Sequence, residues 1–244
     1  MVTISSFSGA AYVSNATVSP QKSATASVSG STAASVSDSV AALTSSPSNT
    51  STESFTQVVL DARAALNAGY QKLGKTGDDT TNIDQWENVV GLKTMDRRTL
   101  YAISSNQGGL FSQAEIDAAG TEMTVRESNA ATAADPLHQN PAAAFKAGVD
   151  FLDQASPEEK TSLKWAEDRG SAQAGYLLCM QDAGRTPENV STGNPVVDLF
   201  AKAHFQLSKS NNPSLSPQDM PAYKQATQLW SQLNQEGHTL SLTL

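Results

Sequence analysis

A net charge of −8 on 244 residues, with no basic cluster, leaves no surface suited to nucleic acid or to an anionic membrane. One cysteine, Cys179, excludes an intramolecular disulfide and a cysteine-based zinc knuckle. No apolar run is long enough to cross a bilayer, and the N-terminus lacks the basic segment and apolar stretch of a cleaved secretory signal.

Residues 1–52 contain 23 Ser and Thr, nine Ala and only two charged side chains, Lys22 and Asp38. Few large apolar groups are present to offset the entropy of ordering, so this arm is expected to be disordered. Two readings of it stand: a plain tail of a cytoplasmic protein, or an uncleaved export signal. A Ser-rich, nearly uncharged N-terminus is similar to those of bacterial type III and flagellar export substrates. That resemblance implies secretion without a cleaved signal peptide.

Beyond the arm the chain reads as helices. Phe55, Val58, Val59, Ala62, Leu66, Tyr70 and Leu73 recur at three- and four-residue spacing, the stripe of an amphipathic helix that Gly74 ends. A polar loop at 75–82 leads to a second helix carrying Trp86, Val89 and Val90, with Gly91 at its end. Met95 to Ile103 is a short third helix, for which Asp96 is a cap. Ser112 opens a fourth through Ile116, Ala119 and Met123. Residues 126–140, rich in Ala, Thr and Asn, have no clear period and read as a linker.

After the linker one start signal repeats. Asn140-Pro141, Ser156-Pro157, Asn194-Pro195 and Ser216-Pro217 each place an N-cap before a proline, where the missing amide costs nothing. Ser156 to Glu159 also forms a capping box. The helices they open carry Phe145, Val149 and Leu152; then Leu163, Ala166, Gly170, Ala174 and Leu177, with small residues that admit a close neighbour; then Val196, Phe200, Ala203 and Leu207; then Met220, Tyr223, Trp230 and Leu233. Thr239 to Leu244 alternates in the strand period, as an edge strand or a frayed end. The fold class is therefore all-α: a helical region at 53–125, a linker at 126–140 and a helical bundle at 141–244.

Two loops carry the one recognisable motif. Ser104 to Glu115 has Asn106 at its third position, Gly109 at its sixth, Phe111 at its eighth, Ser112 at its ninth and Glu115 at its twelfth. Thr76 to Glu87 fits the same frame less well, with Asp78, Thr80, Asp84 and Glu87 but Thr81 where a tight turn wants glycine. The stretch from about 55 to 123 thereby resembles a degenerate EF-hand pair, under a third of the chain. The resemblance implies oxygen ligands from Ser104, Asn106, the Leu110 carbonyl, Ser112 and Glu115, and from Asp78, Asp84 and Glu87, with Ile83 and Phe111 in a short β contact. Glu115 is the sole carboxylate of the downstream loop, so calcium affinity is expected to be weak or absent. Plain helix capping explains the same residues, because Asp84-Gln85-Trp86-Glu87 and Ser112-Gln113-Ala114-Glu115 are both capping boxes.

Catalytic signals are thin. His138, His204 and His238 stand far apart, Cys179 lies in a run that reads as buried helix, and Glu158, Glu159, Glu167 and Asp168 fit a capped turn and a solvated face. Arg97 and Arg98 are suited to holding carboxylates. The expectation is a non-enzymatic bacterial interaction protein, exported or cytoplasmic, whose partner is another protein and which needs no cofactor. The alternatives are calcium regulation through 76–87 and 104–115, with weakly bound calcium, and an enzyme whose site is assembled only in three dimensions.

Overall fold

The computed structural model describes residues 53–210 and 212–240, with side chains as far as Gln235. The arm at 1–52 and the last four residues lie outside the described residues. Among those described the protein is all-α, without a strand, and no helix is long and apolar enough to cross a membrane.

The first region builds one core from short elements. Helix α1 (Phe55–Leu73) starts where Ser54 accepts from the Gln57 amide, and it ends at Gly74, whose φ of 75° suits a residue without Cβ. A π-turn (Gln85–Val90) closed by Gly91 and a 3-10 turn (Leu92–Thr94) follow. Helix α2 (Arg97–Ser104) is capped by Asp96, which accepts from the Thr99 amide at 2.8 Å. A second 3-10 turn (Gln107–Gly109) leads to α3 (Gln113–Ala134). Leu66, Trp86, Leu92, Leu100, Ile103 and Phe111 fill the space between them. Each leucine-sized side chain removed from water contributes about 2 kcal/mol.

The second region comprises α4 (Pro141–Asp153), a single turn α5 (Pro157–Lys160), α6 (Leu163–Asp182), α7 (Pro195–Ser208) and α8 (Pro221–Leu240). Val149, Leu152, Trp165, Tyr176 and Phe200 centre its core. The close approach expected from the small residues of α6 is real. A Cβ on Gly170 would lie 2.6 Å from Phe200 Cβ and 2.8 Å from the Val197 carbonyl oxygen, so the bare backbone sets the α6–α7 distance.

Consecutive arginines join the two regions to consecutive glutamates. Arg97 holds Glu159 through two bonds at 2.6 and 2.9 Å, donates to the Phe151 carbonyl and lies over the Phe151 ring. Arg98 holds Glu158 at 2.6 and 3.2 Å and donates to the Glu53 carbonyl. Paired forks of this kind fix orientation as well as distance.

Several expectations change at this level. Residues 126–140 are not a linker throughout: α3 continues to Ala134, and only 135–140 connects it to α4. Alanines sustain a helix there without a wide apolar stripe. Ser156 opens only the single turn α5, and Ser162 caps α6 anew. The expected box at Ser156 is half made, because the Glu159 carboxylate turns to Arg97. Asp84 makes no cap bond; Asn82 and Gln85 exchange side-chain bonds with each other's amides instead. Neither Ile83 nor Phe111 lies in a strand: Ile83 is 44% exposed while Phe111 is buried. Thr239 and Leu240 belong to α8.

Candidate functional site

The turn from Ser104 to Glu115 holds the densest cluster of sequence-predicted site residues. Ser104 ends α2, and its hydroxyl donates to the Tyr101 carbonyl. Asn106 sits at φ 50°, a left-handed position that asparagine tolerates better than most residues. Its side-chain oxygen accepts from the Phe111 amide at 3.0 Å and so closes the turn. Gly108 and Gly109 follow at φ 80° and 69°. Phe111 turns inward while Leu110 is 43% exposed. Ser112 then caps α3 in a reciprocal box with Glu115: the Glu115 amide donates to the Ser112 hydroxyl, and the Ser112 amide donates to Glu115 Oε2 at 2.7 Å.

Glu115, the twelfth position of the calcium-loop frame, is buried and already holds a cation. Arg63 on α1 reaches both its oxygens, at 2.9 and 2.8 Å, and Tyr70 donates its hydroxyl to Oε1. Arg63 also donates, at 3.4 Å, to the Leu110 carbonyl, the frame's seventh position. One guanidinium thus meets two of the oxygens assigned to a metal. Burial alone would raise the Glu115 carboxyl, but hydrogen bonds from Arg63, Tyr70 and the Ser112 amide outweigh it and hold it below the usual range. The Tyr70 hydroxyl is pushed up by burial and by the same carboxylate.

The upstream loop is arranged differently. Asp78 gathers the Thr80 amide and hydroxyl, the Thr81 hydroxyl and Lys75, and the bonds from Thr80 and Lys75 lower its carboxyl to about 2. Thr81 is buried and is not among the residues with positive φ, so the sixth-position turn is missing. Asp84 accepts from the Asn88 side chain, and Glu87 lies half-buried in the π-turn. Among the described residues, His, Cys, Asp and Glu form no group of three placed to hold a metal.

The periodicity that found α1 missed Arg63 and Tyr70 as partners of Glu115. A signal was present: Arg63 follows Val59 by four residues and precedes Tyr70 by seven, so all three share one side of α1.

A second arginine organises part of the second region. Arg169 on α6 is fully buried; it holds Asp153 at 2.7 and 3.1 Å, Gln173 at 3.1 Å and the Val190 carbonyl at 2.7 Å. It lines a cleft of about 570 Å³ together with Lys146, Asp150, Lys160 and Asn194. At the seam, Glu127 on α3 is half-buried near Asp168, and burial followed by that neighbour raises its carboxyl to about 7. Cys179 and His204 make no hydrogen bond to each other. Burial and Asp182 push the Cys179 thiol up to about 11. His204 is buried with neither ring nitrogen hydrogen-bonded, and burial lowers it to about 4. No protein-family model, curated protein or solved structure matches the chain.

Proposed function

We propose that this chain is a non-enzymatic bacterial interaction protein, exported by a type III or flagellar-type route, and that the Leu110 turn is a contact for a protein partner. The observation that carries the reading is the Arg63 clamp. An internal cation holds the Leu110 carbonyl and Glu115, so the turn keeps its shape without a metal and presents the Leu110 side chain outward. A turn fixed before binding loses little entropy when a partner meets it.

The alternatives fit these residues less well. Calcium regulation through the downstream loop requires Glu115 to exchange Arg63 for a metal, with no second carboxylate in that loop to help. Catalysis by the one thiol requires a thiolate, whereas its surroundings favour the protonated form at neutral pH.

The test uses a photoreactive amino acid at position 110 of the full chain, with cross-linked products identified by mass spectrometry. One protein recurring at position 110 and not at a distant control position supports the reading; equal labelling at both sinks it. Calcium titration by calorimetry is expected to show nothing tighter than about millimolar binding. Micromolar binding abolished by Glu115→Gln would make calcium regulation the better reading. For export, fusing residues 1–52 to a reporter is expected to carry it into the medium. A wild-type chain that stays in the cell while the export apparatus is active refutes that part.

A further inference from the structure

The imidazole of His204 is buried without a bond. It is 2% exposed, on the same side of α7 as the buried Phe200 and Leu207, and neither ring nitrogen has a hydrogen-bond partner. Helix α7 packs on α6, on α8 and on the 3-10 turn Pro217–Asp219. Ser171 of α6 is buried too, and its hydroxyl is not bonded to the ring. The charged groups described on these elements are engaged or exposed. On α6, Lys164 bonds Asp168, Glu167 accepts from Tyr223 of α8, Arg169 holds Asp153, and Asp182 is exposed. On α7, Asp198 accepts from Gln173, and Lys202 and Lys209 are exposed. Asp219 accepts from the Ser216 amide and hydroxyl, and Lys224 of α8 is exposed. None of them offsets the burial, which alone lowers His204 to about 4.

A neutral imidazole in this place costs the bonds it does not make. A charged one costs far more, because no anion and no acceptor meets it there. The ring therefore takes up a proton only when α7 moves. We infer that His204 makes the seating of α7 conditional on pH: the helix stays on α6 and α8 while the ring is neutral, and acid releases it and exposes Val197, Phe200 and Leu207. The sign follows from the folded value lying below the ordinary 6.5. Stability from the neutral ring is complete above about pH 6.5 and is lost progressively as pH falls toward 4. The device uses none of the residues of the Leu110 turn and stands whether or not that turn binds a partner.

The experiment is amide hydrogen exchange of the full chain at about pH 7.5 and pH 5, corrected for intrinsic rates, on wild type, His204→Leu and His204→Gln. Glu115 stays charged over this range, because its carboxyl lies below its ordinary value. Glu127 takes up its proton with the opposite sign, equally in all three proteins. In wild type the opening constant over residues 195–208 is expected to rise about thirtyfold on acidification, from the 1.5 or so pH units below the ordinary histidine value. In both variants it should rise less than about threefold, and His204→Leu should protect α7 at pH 7.5 at least as well as wild type, since an apolar side chain leaves no unpaired nitrogen. The wild-type imidazole signal in proton NMR checks the same point without a substitution: it should stay neutral at pH 5 in the folded chain. Opening that rises equally in wild type and in the two variants overturns the inference. So does an equal rise over α1, which would mean that the whole body opens together, and so does an imidazole already protonated at pH 5 while α7 remains protected.

Discussion

Each region of this protein uses an arginine on one of its helices to fasten a loop, and the two clamps are mirror images in burial. In the first region the anion is inside: Glu115 is 4% exposed and Arg63 is 23% exposed. In the second the cation is inside: Arg169 is 1% exposed and Asp153 is 44% exposed. The difference matters because a carboxyl group can shed its charge by taking up a proton, whereas a guanidinium stays charged at any pH a protein meets. The first clamp therefore has an escape on acidification that the second lacks.

The largest expected effect comes from emptying the second clamp. Arg169→Ala removes a buried side chain and leaves the Val190 carbonyl and Gln173 without their donor, for an expected loss of about 4 kcal/mol in urea unfolding. A loss below about 1 kcal/mol would mean that the loop at 188–194 is held by other contacts.

Arg63→Ala is next, at about 3 kcal/mol near pH 7, because Glu115 is then buried without its cation. Here the sign with pH separates the clamps. The Glu115 carboxyl lies below its ordinary value in the folded protein, so its contribution is present above about pH 4.5 and is lost as pH falls through the folded value. The cost of Arg63→Ala should shrink toward pH 4, and the cost of Arg169→Ala should change much less. Equal pH slopes for the two variants would break the comparison.

Glu127 sharpens it from the other side. Its carboxyl is raised to about 7, so the folded state binds the proton more tightly than the unfolded chain does. Stability from this group falls as pH rises from about 4.5 to 7 and is lost above that. Glu127→Gln is expected to gain about 1 kcal/mol at pH 8 and nothing at pH 4.5, read from thermal midpoints at the two values. A variant less stable than wild type at pH 8 would show that the charged form is held by the attraction of Arg97 and Lys164.

Smaller effects test the local frame of the first clamp. Ser112→Ala removes the α3 cap and should cost about 1 kcal/mol. Leu110→Asp, at an exposed position, should stay within about 0.5 kcal/mol of wild type while reducing any partner contact.

Much of the backbone was legible before any tertiary structure. The stripe from Phe55 to Leu73 with Gly74 after it, the Asp96 and Ser112 caps, the proline starts after Asn140, Ser156 and Asn194, and the all-α class depend on residues within about four positions of each other. Local hydrogen bonds and the helical repeat act over that range, so sequence order alone expresses them. Where a local rule met a distant competitor, the outcome differed from site to site: the Ser112 box kept Glu115 while Arg63 also held it, and the Ser156 box lost its acid. The Glu159 carboxylate left its own cap for Arg97, 62 residues earlier, and Arg63, 52 residues before Glu115, joined that residue and the Leu110 carbonyl. The alanines at the end of α3 hid a helix that apolar periodicity could not show: Ala131 is buried but Ala133 and Ala134 are exposed, so the helix continues on alanine's propensity without an apolar stripe. Which acid meets which base, and which face stays bare, is decided only when helices far apart in sequence are packed together. The energy of those pairings comes from burial and from a low local dielectric, and neither exists until the core has formed.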